Sequence, residues 1–278
     1  MTEEVFMNDI FREPLHHDAR PAQENSGPKV VPLVPMIEEP RLALRDEGWD
    51  DLPEIKLDKR HLARNRIIAA ARRDPAHVAI NMLRTRLMST IREKKWRTIG
   101  ITSPRGGCGK TTLALNLAFS LAQQTNFKLA LLDLDLHRPS LASRLGWYGQ
   151  SDIESFLRGR ANLSERLCRF KDQLAIATNS TQTSNAAELL MECVPGPAIR
   201  RMRDTLSLDL VVFDLPPMLA TDDVLAILPS TDAIILVAAA GQTSMADIDL
   251  CEKELSLHSK FGGLVLNKTR YLPDRYGY

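Results

Sequence analysis

Chemistry on a phosphate is written into Ser103-Pro104-Arg105-Gly106-Gly107-Cys108-Gly109-Lys110-Thr111-Thr112. Glycines let consecutive backbone N–H groups converge on phosphate oxygens, and the start of a following helix adds its partial positive charge. Lys110 would reach the β- and γ-phosphates of a nucleotide, and the Thr111 hydroxyl would ligate Mg2+. Gly106, Gly107, Cys108, Gly109 and Thr112 complete the cradle. The usual first glycine of such a loop, five positions before Gly109, is replaced by Pro104, so the string reads R-G-G-C-G-K-T-T. A helix N-terminus lowers the pKa of a thiol, but Cys108 is equally explained as a small residue that fits the loop.

Three aspartates close apolar runs. Asp133 and Asp135 end Leu129-Ala130-Leu131-Leu132-Asp133-Leu134-Asp135, and Asp214 ends Leu208 to Asp214, just before Leu215-Pro216-Pro217. Residues two apart on a strand share a face, so Asp133 and Asp135 are expected to point together. Carboxylates at strand ends beside a triphosphate hold Mg2+ directly or through water, and can accept a proton from an attacking hydroxyl.

The elements that must hold these groups alternate along the chain. Arg97 to Thr102 reads as a strand before the glycine loop, and Leu113 to Ala122 as a buried helix after it. Further strands are expected at 129–135, 174–177, 208–214, 233–238 and 263–266. Helices separate them, among them Ser151 to Gly159 with a serine cap and Ser244 to Leu257. Strands that are continuously apolar rather than alternating belong to a sheet buried on both faces. The fold class is therefore α/β: a doubly wound, mainly parallel sheet with helices on both faces. Right-handed crossovers bring the C-terminal ends of its strands, and so the motifs, to one edge.

Composition narrows the rest. A net charge of +1 over 278 residues argues against a dedicated nucleic-acid binder. No apolar run approaches the roughly 18 residues that cross a bilayer. Glu3 and Glu4 beside Met1 do not make a signal peptide, and four cysteines without metal spacing suit a reducing cytoplasm. Residues 1–60 carry seven of the sixteen prolines and an acidic excess, and read as a disordered tether. His16 and His17 lie there without a second ligand cluster. Residues 61–96 read as a basic leading helix, with Ile80, Leu83, Leu87 and Ile91 at helical spacing. Its basic face could be a solvated surface or could meet anionic lipid or an acidic partner. The phosphate-loop domain then runs over 97–268, and a tail over 269–278 holds three of the four tyrosines: Tyr271, Tyr276 and Tyr278.

Leu131-Leu132-Asp133-Leu134-Asp135-Leu136-His137-Arg138-Pro139 resembles the extra Walker A′ motif of bacterial tyrosine kinases. Phe213-Asp214-Leu215-Pro216-Pro217 is similar to their Walker B, and Asn185-Ala186-Ala187-Glu188-Leu189-Leu190 to their N-P-x-E-L-L stretch. Leu83-Arg84-Thr85 and Leu266-Asn267 resemble further family strings. The likeness spans about 75–278 and resembles the detached CpsD/CapB type that serves capsule and exopolysaccharide export. It implies ATP and Mg2+ as cofactors and autophosphorylation of Tyr271, Tyr276 and Tyr278. Lys110 would stabilise phosphoryl charge, Thr111 and Asp214, with Asp133, would lie at the metal, Asp133 would be the base, Asp135 would assist, and Asn267 would join the nucleotide site. It also implies self-association and a membrane-bound chain-length regulator or co-polymerase as partner, with a cytoplasmic protein recruited to the inner face of the membrane.

Two departures qualify the likeness. The family's leading helix carries E-x-x-R-x-x-R, where this chain has Val78, Asn81 and Arg84, which weighs against ring-type oligomers. Arg105 stands where partitioning ATPases of the ParA/MinD type carry a signature lysine, and is either idle or a guanidinium version of it. The rival readings are an ATPase switch that dimerises on ATP and a degenerate nucleotide-binding regulator.

Overall fold

The structure, a computed structural model, describes residues 47–68, 76–147, 152–193 and 196–269. Seven strands form one sheet: β1 (Thr98–Thr102), β2 (Leu129–Asp133), β3 (Cys168–Phe170), β4 (Leu174–Ala177), β5 (Leu210–Asp214), β6 (Ala233–Ala239) and β7 (Phe261–Asn267). Their order is β3-β4-β2-β5-β1-β6-β7, and every neighbouring pair is parallel except β3 with β4. The helices are α1 (Lys59–Arg64), α2 (Ala76–Lys94), α3 (Lys110–Leu121), α4 (Leu141–Leu145) and α5 (Ile153–Leu157). They continue with α6 (Leu163–Arg166), α7 (Ala186–Cys193), α8 (Pro197–Thr205), α9 (Asp223–Ile227) and α10 (Met245–Leu257).

Every residue of β1, β2, β4, β5 and β6 is buried, as their unbroken apolar runs require. Alternate side chains feed two cores. Ile99, Ile101, Leu129, Leu131, Val212 and Ile235 pack with α2 and α3 on one face. Leu132, Phe213, Ile234 and Leu236 pack with α5, α7, α8 and α10 on the other. Gly100 holds the crossing point: a Cβ there would stand 2.5 Å from Ile234 Cδ1 and 2.6 Å from Leu215 Cδ1.

Several expectations need correction. The tether does not run to residue 60, because Trp49, Leu52 and Ile55 are buried in the two cores. Ile55 N donates to Arg169 O at 2.9 Å and Arg169 N to Pro53 O at 2.9 Å, so this segment is fastened to β3. The leading basic stretch contains two described helices rather than one, since α1 ends at Arg64 and α2 begins at Ala76. Within α2, Leu87 and Ile91 are buried, with Ile80 and Leu83 half-buried against the same core. The cap of α5 is Asp152, whose carboxylate accepts from Ser155 N; Ser151 lies outside the described residues. β3 was not expected. Its three residues are too short for a period, and they pair antiparallel at the sheet edge.

Candidate nucleotide and phosphoryl-transfer site

The glycine loop joins β1 to α3 at the C-terminal edge of the sheet. Gly109 caps α3 with φ +90°, a conformation that costs glycine least. A Cβ there would also meet Asn267 Nδ2 at 2.4 Å. Asn267 ends β7 and donates from Nδ2 to Cys108 O at 2.9 Å, so a strand two places away in the sheet braces the loop. The buried Cys108 thiol turns to Arg105 O at 3.3 Å, which fits a small residue filling the loop. Thr112 Oγ1 accepts from Arg144 Nη1 at 3.0 Å. Gly106 and Gly107 leave the mouth of the cradle open, with nothing within 4 Å of a built Cβ.

β2 and β5 are adjacent, and Asp133 pairs with Asp214 in register, so two of the carboxylates arrive side by side by strand pairing alone. The strand ends at Asp133, however. Asp135 lies in the following turn and is positioned by Arg138 N, which donates to its Oδ1 at 3.0 Å. Lys110 Nζ nonetheless gathers all three motifs: it is 2.7 Å from Asp135 Oδ2 and 3.7 Å from Asp214 Oδ1. Its other close polar neighbour is Thr111 Oγ1 at 3.4 Å, which Ser140 Oγ also approaches, at 3.3 Å. Asp133 Oδ2 accepts from Ser140 N at 3.0 Å and Leu141 N at 2.9 Å, at the start of α4.

One cation thus faces three buried carboxylates. Burial raises the Asp133 carboxyl well above the usual carboxylate range, and the adjacent Asp214 pushes it further. Burial raises Asp214 as well, against the pull of Lys110. Burial works against the charge on Lys110, but Asp214 and Asp135 outweigh it and its pKa is raised. Asp133 Oδ1 and both Asp214 oxygens have no hydrogen-bond partner among the described residues. Orphaned anionic acceptors beside a threonine hydroxyl are the donor set that Mg2+ and its water would satisfy, so these residues fit the metal.

Sequence reasoning missed two contacts. Arg105 Nε and Nη2 reach Asp247 Oδ2 and Oδ1 at 2.8 and 3.0 Å, a two-point pair that ties the loop to the first turn of α10. Nothing in the spacing of 105 and 247 announces it. Asp223, at the start of α9, is buried with His137 Nε2 at 3.2 Å. Tyr271, Tyr276 and Tyr278 lie outside the described residues.

The sheet order, the glycine loop and the converging carboxylates define a P-loop nucleoside triphosphatase. The ParA family model, described as a NUBPL iron-transfer P-loop NTPase, matches residues 95–268. The tyrosine-protein kinase CpsD of Streptococcus pneumoniae is 31% identical over 189 residues, 66% of this chain and 81% of that protein. Among solved structures, the kinase domain of the Escherichia coli tyrosine kinase ETK aligns with TM-score 0.64 and 25% identity, over 77% of this chain and 84% of that one. The VpsO kinase domain aligns with TM-score 0.59 and 27% identity, over 76% and 96%. The chain belongs to the bacterial tyrosine-protein kinases, within the ParA-type P-loop NTPases. Among the described residues no helix is long and apolar enough to cross a membrane.

Proposed function

We propose that this protein is an ATP-dependent tyrosine autokinase that regulates capsular or exopolysaccharide synthesis and export. The observation that carries it is Lys110 Nζ held between Asp135 at 2.7 Å and Asp214 at 3.7 Å, inside a family of tyrosine kinases. Lys110 binds the transferring phosphoryl group and stabilises its charge. Asp214, Thr111 and Asp133 would hold Mg2+, which would supply positive charge to the phosphate oxygens. Asp133 takes the phenolic proton: a carboxyl whose pKa is raised by burial and by Asp214 is the better proton acceptor. Asp135 keeps Lys110 and the 135–138 turn in place. The acceptors are Tyr271, Tyr276 and Tyr278, presented by a neighbouring copy, and recruitment to the membrane comes from a chain-length regulator.

The experiment is incubation of the purified chain with Mg2+ and ATP labelled in the γ-phosphate. Wild type gains phosphotyrosine, and the Lys110→Ala chain gains none. Replacing Tyr271, Tyr276 and Tyr278 by Phe removes the hydroxyls and keeps the rings. That triple variant acquires no label but transfers label to a Lys110→Ala chain. Nucleotide turnover with no phosphotyrosine in either chain would replace this reading with that of an ATPase switch.

A further inference from the structure

Asp223 is 1% exposed, and neither of its oxygens has a well-formed hydrogen bond among the described residues. The same is true of Thr221 Oγ1, two residues earlier in the loop that follows β5. A carboxylate this buried is costly unless a donor faces it, and burial raises its pKa, with His137 as the first opposing influence. The ring nitrogen facing it is His137 Nε2, 3.2 Å from Oδ2, and the His137 side chain is 37% exposed. His137 sits in the turn fixed by Arg138 N on Asp135, the carboxylate that holds Lys110. A half-open imidazole backed by a buried carboxylate therefore stands at the lip of the phosphoryl-transfer site.

We propose that His137 accepts the hydrogen bond of the incoming tyrosine hydroxyl and that Asp223 positions it. Two facts favour this group as the acceptor's first contact. Asp133 is fully buried, with Oδ2 occupied by two backbone N–H groups, so an incoming phenol meets the turn before it meets the base. And with Nε2 turned to the carboxylate as donor, Nδ1 of the neutral ring is a lone pair, the form that receives an O–H. This role rests on the kinase reading and names its acceptor-binding residue.

The test uses full chains and transfer in trans. The donors are wild type, His137→Ala and Asp223→Asn, each with Tyr271, Tyr276 and Tyr278 changed to Phe so that they cannot label themselves. The acceptor is the Lys110→Ala chain at increasing concentration. Asn at 223 keeps the shape but offers an amide N–H to Nε2, which turns Nδ1 into a donor. Both variants are expected to raise the acceptor KM about five- to tenfold, with kcat changed far less and affinity for a fluorescent ADP analogue kept within about twofold. An unchanged acceptor KM in either variant overturns the proposal, as does a parallel fall in nucleotide affinity. If the parent donor transfers nothing, the kinase reading itself fails. If parent and variants transfer alike, only the role of His137 and Asp223 does.

Discussion

Lys110 Nζ is 2.7 Å from Asp135 Oδ2, so the cation of the glycine loop is held by a carboxylate of the same site. Both side chains are nearly buried, at 10% and 6% exposure, which makes the pair one that solvent screens weakly. In the proposed function a nucleotide must compete with Asp135 for that charge.

Asp135→Asn should therefore bind nucleotide more tightly than wild type, by about two- to tenfold, because the amide releases Lys110 to the phosphates. Transfer to tyrosine should fall at the same time, since Lys110 loses its fixed direction. A fluorescent-nucleotide titration beside a labelling assay reads both. Weaker binding in this variant would mean that Asp135 holds the lysine in its productive place rather than competing for it.

Asp214 and Asp133 should separate when each is changed to Asn. Asp214→Asn is expected to raise the Mg2+ concentration for half-maximal activity about tenfold, because an amide oxygen brings no net charge to the metal. Asp133→Asn should instead lower turnover about a hundredfold with nucleotide affinity retained. Exchanged phenotypes would exchange the two roles.

Stability should move with pH in a direction set by Asp133. Its folded pKa is raised, so its protonated form suits the fold, and the stability it contributes at low pH is lost as pH rises through that raised value. Asp133→Asn removes the burden of the buried charge. The nucleotide-free variant should melt about 2–4 °C above wild type near pH 8, and the gap should close towards pH 4. A gap that widened on acidification would contradict the burial argument.

The segment before α1 should prove structural. Trp49 lies in the core, donates from Nε1 to Lys171 O at 3.2 Å and has Lys128 Nζ 4.8 Å from its ring centroid. Trp49→Ala should cost about 3 kcal/mol, a fall of the order of 10 °C in thermal unfolding. A chain cut at residue 60 should be less stable still, because Leu52 and Ile55 leave with it.

Most of the site was legible because its parts are local. The glycine loop lies between a strand and a helix, and aspartates at strand ends go where the sheet edge goes. What escaped is what depends on pairing at a distance. The segment around Trp49 looked like a tether because prolines and acids outnumber its few apolar residues, and only the partners in β3 and the core make those residues count. Asp135 was expected on the strand beside Asp133, but β2 stops one pleat earlier and the turn brings its carboxylate back. Arg105 with Asp247 and His137 with Asp223 join residues 142 and 86 positions apart, and no period links them.

The brace between Asn267 and the Cys108 carbonyl gives the end of the sheet a mechanical meaning. β7 is an edge strand, and the chain that leads to Tyr271 departs directly from the residue that grips the phosphate loop. Asn267 O also accepts from Ala240 N at 2.9 Å, so the same residue is stitched both to the loop and to the chain leaving β6. A pull on the end of β7 is thereby felt at the glycine loop between β1 and α3.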